Sequence, residues 1–277
     1  MSAHSSRDLF NLSGKVAAVS GGAGVLCAHL SSALAAEGVK VAILEINFKA
    51  AEQVAGEIRQ SGGEALAVAC DVCDRASLEA SAHQILQSFG RVDVLINGAG
   101  GNHPQATTSE ELRFFDIPEE ALSWVIELNL MGTILSCQVF GKIIAEQKEG
   151  VILNISSMNS MRPLTRIPGY SAAKAAVSTF TQWLAVHMAQ EYSPDIRVNA
   201  IAPGFFLTDQ NHYLMIDKES GGLTERGRTI IAHTPMGRFG VPADLVGVTL
   251  WLLSPASKFV TGVVVPVDGG FSAFSGV

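Results

Sequence analysis

Apolar residues gather in seven short runs along this chain, at 16–19, 39–44, 65–69, 94–96, 151–155, 196–201 and 263–267. Each is too short for a helix, rich in Val, Ile, Leu and Ala, and ends near glycine or a polar residue, so each reads as a buried strand. Between them, apolar positions recur at helical spacing over 26–37, 49–60, 76–89, 119–146 and 170–191. Strands that are apolar on both faces and separated by helices belong to a parallel sheet covered on each side. Right-handed crossovers then make a single-domain α/β fold, a doubly wound parallel sheet of about seven strands with helices on both faces. Two connections, 101–118 and 208–234, are longer than such a sheet needs. Both leave carboxyl ends of strands, where open sheets of this kind bind ligands.

Composition agrees with one large core: 277 residues, 48% of them hydrophobic, with 27 glycines for tight turns. The net charge of −7 argues against a nucleic-acid partner. Residues 1–10 are polar and carry no signal-peptide core. No uninterrupted apolar stretch approaches the ~20 residues of a membrane span, so no membrane partner and a cytoplasmic location are expected. The cysteines are Cys27, Cys70, Cys73 and Cys137, and no second pair stands at zinc spacing from Cys70 and Cys73. They read as reduced, mostly buried thiols, and no metal site is expected.

Candidate chemistry begins where the first strand meets the first helix, in Ser20, Gly21, Gly22, Gly24, Val25 and Leu26. Glycines there let the backbone approach a pyrophosphate, and the helix N-terminus favours its charge. Gly22 and Gly24 fit the dinucleotide fingerprint of a Rossmann-type sheet, whereas Cys27 stands where its last glycine belongs. Glu45 lies 21 positions after Gly24 at the end of the second strand. Its carboxylate suits the ribose hydroxyls of NAD(H) and repels the 2′-phosphate of NADP, and neither Ile46 nor Asn47 offers that phosphate a cation.

Tyr170 and Lys174, four residues apart, share one face of a helix. A free tyrosine titrates near pH ~10. A neighbouring ammonium favours its phenolate, so Lys174 is expected to lower the Tyr170 pKa toward the range where acid–base catalysis is effective.

Taken together, these segments resemble the short-chain dehydrogenase/reductase family over nearly the whole chain. Its glycine segment, Thr-Gly-x-x-x-Gly-x-Gly, is matched at Ser20 and Gly21, while Val25 and Cys27 replace later glycines and Gly24 sits one place early. Asp71 and Val72 resemble the family's adenine-contacting pair. Asn97, Ala99 and Gly100 resemble its Asn-Asn-Ala-Gly, with Gly98 as a departure. The resemblance implies a catalytic tetrad of Asn129, Ser157, Tyr170 and Lys174, with Pro203, Gly204 and Thr208 on the nicotinamide side. In carbonyl reduction Ser157 would hold the substrate oxygen and Tyr170 would deliver the proton. Lys174 would hold the nicotinamide ribose, and Asn129 would position a water leading to Lys174. The helices 119–146 and 170–191 correspond to those that pair subunits in the family, implying a homotetramer.

Longer runs narrow the resemblance. The segments 157–166, 203–211, 234–240 and 267–277 are similar to the D-mannonate oxidoreductase (fructuronate reductase) branch, which implies a sugar acid as the small-molecule substrate. Arg162 and Arg166, between Ser157 and Tyr170, suit a carboxylate. Asn102, His103, Asn159, Gln210 and Asn211 lie in segments expected around the cleft. Equally, either arginine fits a surface ion pair, and His103 fits a local cap. Another polyol, gluconate-type or hydroxy-ketone dehydrogenase stays open, as does a dinucleotide binder without catalysis.

Overall fold

The structure, a computed structural model, describes residues 6–208, 212–218 and 220–276. All seven expected strands are present: β1 (Val16–Ser20), β2 (Lys40–Glu45), β3 (Ala65–Ala69), β4 (Val94–Asn97), β5 (Gly150–Ile155), β6 (Ile196–Pro203) and β7 (Val264–Val267). They make one wholly parallel sheet in the order β3-β2-β1-β4-β5-β6-β7. The order reverses between β1 and β4, so the crevice of a doubly wound sheet opens above Ser20 and Asn97. Strand β6 runs two residues past its expected end, because Ala202 and Pro203 pair with Pro266 and Val267.

The principal helices are α1 (Val25–Ala36), α2 (Phe48–Gln60), α3 (Arg75–Phe89), α4 (Glu119–Gln147), α5 (Pro168–His187), α6 (Glu225–Ala232) and α7 (Val246–Leu253). Alternation along each strand sorts the core into two layers. Ala17, Val19, Val41, Ile43, Ile96 and Leu153 pack with Leu30 and Leu34 of α1, Ile58 of α2 and Leu252 of α7. Val16, Ala18, Ala42, Leu44, Leu95 and Ile152 pack with Leu78 and Ile85 of α3, Phe140 and Ile144 of α4 and Leu184 of α5. Burying each large side chain stabilises the fold by about 1.5–3 kcal/mol.

Local signals place the helix ends. Asp74 accepts from Ala76 N and Ser77 N at the start of α3, and Gly90, with φ 80°, closes it. Helix α4 corrects an expectation. Over Glu119–Gln147 it is long and apolar enough to cross a membrane, although no uninterrupted apolar run of that length exists. Its interruptions are mostly small or uncharged, so helical averaging hides them. In the fold more than half of its most apolar window is buried, as befits a core helix.

Candidate active site

The turn from β1 into α1 is shaped by contact with the end of β4. Gly21 has φ 61°, and a Cβ there would meet the Ala99 Cα and N at 2.7 Å. A Cβ on Gly22 would meet Val19 O at 2.8 Å. The Ser20 hydroxyl accepts from Gly98 N at 3.2 Å and Ala99 N at 3.4 Å, locking the two turns together. Gly24 caps α1 with no side chain, leaving the first-turn N–H groups at Val25 and Leu26 to an anion. At the end of β2, the Glu45 carboxylate accepts from Ile46 N at 3.0 Å, which fixes it at the rim. Val72 packs under Gly132 of α4, where a Cβ would approach it to 2.7 Å, and Asp71 accepts from Cys73 N. Narrow backbone approaches, an uncapped helix start and a carboxylate one strand away fit a dinucleotide.

Two departures from the family pattern explain each other. A Cβ on Gly98 would overlap the Cys27 sulfur, so Cys27 fills the room that Gly98 leaves. Burial pushes the Cys27 thiol up to about 12, which keeps it a neutral packing group. Asn97 points its amide into the protein, donating to Asn154 Oδ1 at 2.8 Å and Cys137 Sγ at 3.2 Å. Its side chain therefore ties β4 to β5.

The four tetrad positions converge beside this turn. Lys174 is 4% exposed, and its Nζ donates to Ile155 O at 2.9 Å. The same Nζ lies 5.6 Å from the centre of the Tyr170 ring. A Cβ on Gly100 would stand 2.7 Å from Asn129 Oδ1 and 3.2 Å from Lys174 Nζ, so glycine lets these groups meet. Asn129 is fully buried in a widened π turn of α4, Glu127–Met131. Its amide donates to Gly101 O at 2.7 Å and Val125 O at 2.8 Å, and its Oδ1 accepts from Gly101 N at 3.2 Å. Thr133 Oγ1 donates to the Asn129 carbonyl at 2.9 Å. Ser157 begins a short turn and accepts from Asn159 N at 3.2 Å.

Electrostatics correct one expectation. The chain's own groups raise the Tyr170 pKa: burial pushes it up, and a hydrogen bond with Ser157 only partly offsets that. Lys174 contributes no lowering there, and burial brings its own pKa down to about 8. Burial, which a four-residue spacing does not reveal, acts on both groups.

The expected substrate residues divide. Asn159 accepts from Leu164 N at 2.8 Å and from Ser171 Oγ at 3.4 Å, holding the 158–167 loop shut. His103 caps a short turn by accepting from Gln105 N at 3.2 Å, with its ring edge-on to Trp124. Asn102 donates to Thr107 Oγ1 at 2.7 Å, and its Oδ1 is buried without a partner. Arg162 reaches the chain's tail, donating from Nε to Ser272 O at 3.0 Å. Arg166 is exposed with φ 76°, and its carbonyl accepts from Thr108 N at 2.8 Å. Gln210 and Asn211 lie outside the described residues. On the β6 side, Gly204 nearly touches Asp268, where a Cβ would come within 2.6 Å. A cavity of about 190 Å³ adjoins that turn, walled by Phe205, Phe206, Met236 and Gly269 rather than by the tetrad.

Sheet order, glycine turn and tetrad positions define a nucleotide-linked oxidoreductase, and the chain belongs to the short-chain dehydrogenase/reductase family. The family model described as enoyl-(acyl carrier protein) reductase matches residues 21–272. Among individual proteins, an uncharacterized oxidoreductase, UxuB, of Bacillus subtilis is 51% identical over 96% of this chain and 98% of its own length. A crystal structure from Haemophilus influenza, of a candidate D-mannonate oxidoreductase with bound NAD, superposes with a TM-score of 0.90. It is 46% identical, covering 96% of this chain and 98% of that one. The 5-keto-D-gluconate 5-reductase of Escherichia coli is 33% identical over 95% of this chain and 97% of its own length. The chain is thus an oxidoreductase acting between hydroxyl and keto groups of small molecules.

Proposed function

We propose that the chain is an NAD(H)-dependent reductase and dehydrogenase that interconverts the ketone and secondary alcohol of a sugar acid, D-fructuronate and D-mannonate. The observation that carries the reaction is the convergence of Tyr170, Lys174 and Asn129 around Gly100, next to the β1–α1 turn. The bound NAD(H) supplies or accepts the hydride. The chain's residues do the rest. Ser157 donates to the substrate oxygen as negative charge gathers on it, and Tyr170 transfers the proton to that same oxygen. Lys174 holds the nicotinamide ribose from its position over Ile155 O and, once that ligand shares the site, favours the Tyr170 phenolate. Asn129 acts as a positioning residue: its bonds to Gly101 tie the β4 loop to α4.

Ser20, Gly21, Gly22, Gly24, Val25 and Leu26 hold the pyrophosphate, and Asp71 and Val72 flank the adenine. Asn97, Ala99, Gly100, Pro203, Gly204 and Thr208 form the wall toward the nicotinamide. Glu45 favours NAD over NADP through its carboxylate at the rim. The sugar-acid reading is supported by the likeness to the NAD-bound Haemophilus protein. The keto-gluconate relative favours a second reading, a 5-keto sugar acid reduced on the same scaffold.

The test is NADH oxidation with D-fructuronate beside 5-keto-D-gluconate, a panel of neutral ketones, and NADPH in place of NADH. Turnover is expected to be fastest with NADH and fructuronate. Equal rates on a neutral ketone would end the sugar-acid reading, and a preference for NADPH would end the role given to Glu45.

A further inference from the structure

The segment after β7 turns back along the carboxyl edge of the sheet. Gly269 and Gly270 take φ 63° and 90°, conformations that favour glycine, and their bend sends the chain toward β6. Strands β5, β6 and β7 are adjacent and parallel, so their carboxyl ends lie in one row, about 10 Å from first to last. The segment is held along that row. The Asp268 carboxylate accepts from Gly270 N at 2.9 Å and Ser272 N at 2.8 Å, which knots the bend. Met236 N donates to Gly269 O at 3.1 Å, and the Phe271 ring stands edge-on to Phe205 beyond β6, with centroids 5.2 Å apart. The Phe274 ring lies 6.4 Å from His233. At the far end, Arg162 of the loop after β5 donates from Nε to Ser272 O at 3.0 Å. An irregular segment in solvent frays unless contacts hold it, and this one is held from β7 across to β5.

Arg162 belongs to the turn that Ser157 opens. Ser157 O accepts from Ser160 N at 2.9 Å and from Ser160 Oγ at 2.8 Å. Ser157 Oγ accepts from Asn159 N at 3.2 Å, and Met158 O accepts from Arg162 N at 2.9 Å. The guanidinium therefore stands at the end of a hydrogen-bonded turn whose first residue is Ser157. Among the described residues no carboxylate pairs with Arg162. The carbonyl it holds belongs to a segment 110 positions away. That segment is rooted beside Gly204, where an added Cβ would come within 2.6 Å of Asp268. One stretch of chain thus spans the ends of β5 and β6, the two sides of the cleft.

We propose that residues 268–274 form a strap across the carboxyl edge, and that Arg162, its catch, is a positioning residue for Ser157. The strap fixes the turn that aims the Ser157 hydroxyl at the substrate oxygen. A charged donor on a fixed carbonyl makes a stronger tie than a neutral one. A reacting group loses rate steeply when the structure that aims it loosens. The assignment rests on the role given to Ser157 above, and it gives Arg162 to the protein's own chain rather than to a substrate carboxylate.

The experiment compares wild type with Arg162→Ala, Arg162→Lys, Asp268→Ala and the double variant of the two alanine changes, on D-fructuronate and on the fastest neutral ketone of the panel. Arg162→Ala should lower kcat for both ketones by the same factor, about 3–10-fold, and leave NADH affinity near wild type. Arg162→Lys should recover part of the loss. The double variant should be little slower than the worse single one, because both changes remove one tie. In hydrogen exchange, which needs no substrate, Arg162→Ala should speed exchange over 158–164 and 270–274 together. A loss confined to KM for the acid makes Arg162 the carboxylate's own partner and overturns the strap. Losses that multiply in the double variant, or exchange unchanged over 270–274, overturn it too. Ser157→Ala tests the reading beneath: turnover near wild type removes the role of Ser157, and the positioning claim with it, whatever the exchange shows. If the sugar-acid reading alone fails, the neutral ketone carries the same comparison.

Discussion

At the residue scale the tetrad and the glycine turn are legible in the sequence because their spacing is local. Tyr170 and Lys174 share a helix, and Ser157 follows a strand whose end the apolar run marks. What spacing conceals is mutual fit. Cys27 and Gly98 each look like a defect when read alone, yet in the fold they form one complementary pair across 71 positions, 98 minus 27. The pair makes a measurable claim. Gly98→Ala should destabilise the protein by about 1–3 kcal/mol through overpacking against the thiol. Cys27→Gly should cost about 1–2 kcal/mol from lost packing and helix propensity. The double variant should lose clearly less than the sum of the two, read by denaturant unfolding with a double-mutant cycle. Strict additivity would mean that the two side chains do not share the space. The Tyr170 pKa teaches the same lesson, since burial at both groups is invisible in a four-residue spacing.

At the scale of elements, strand positions were readable to within about two residues because a parallel sheet buried on both faces needs continuous apolar runs. Helix α4 was expected as one helix and is one, but its π turn at Glu127–Met131 has no signature in the periodicity. That turn seats Asn129 against Gly101, so a local irregularity does what a regular helix would not. Loops were the least legible. The connection 158–167 reads as a stretch of substrate contacts, yet Asn159 spends its oxygen on Leu164 N and Ser171 Oγ to shape the loop itself.

At the scale of the whole molecule, α4 and α5 leave large apolar side chains in solvent: Trp124, Met131, Trp183 and Val186 are between 41% and 57% exposed. On helices that otherwise cover the core, such side chains fit subunit contact, and we propose a homotetramer with these helices at an interface. Light scattering at micromolar concentration should give four chains, and Trp183→Glu should shift the mass downward; a monomeric wild type would contradict it. The central claim, proton transfer by Tyr170 in a dinucleotide-linked reaction, is tested most directly by Tyr170→Phe, assayed in parallel for NADH binding by fluorescence titration and for turnover of D-fructuronate. NADH affinity should stay within about twofold of wild type, and turnover should fall by about 100- to 10,000-fold. Turnover close to wild type in that variant would contradict the claim.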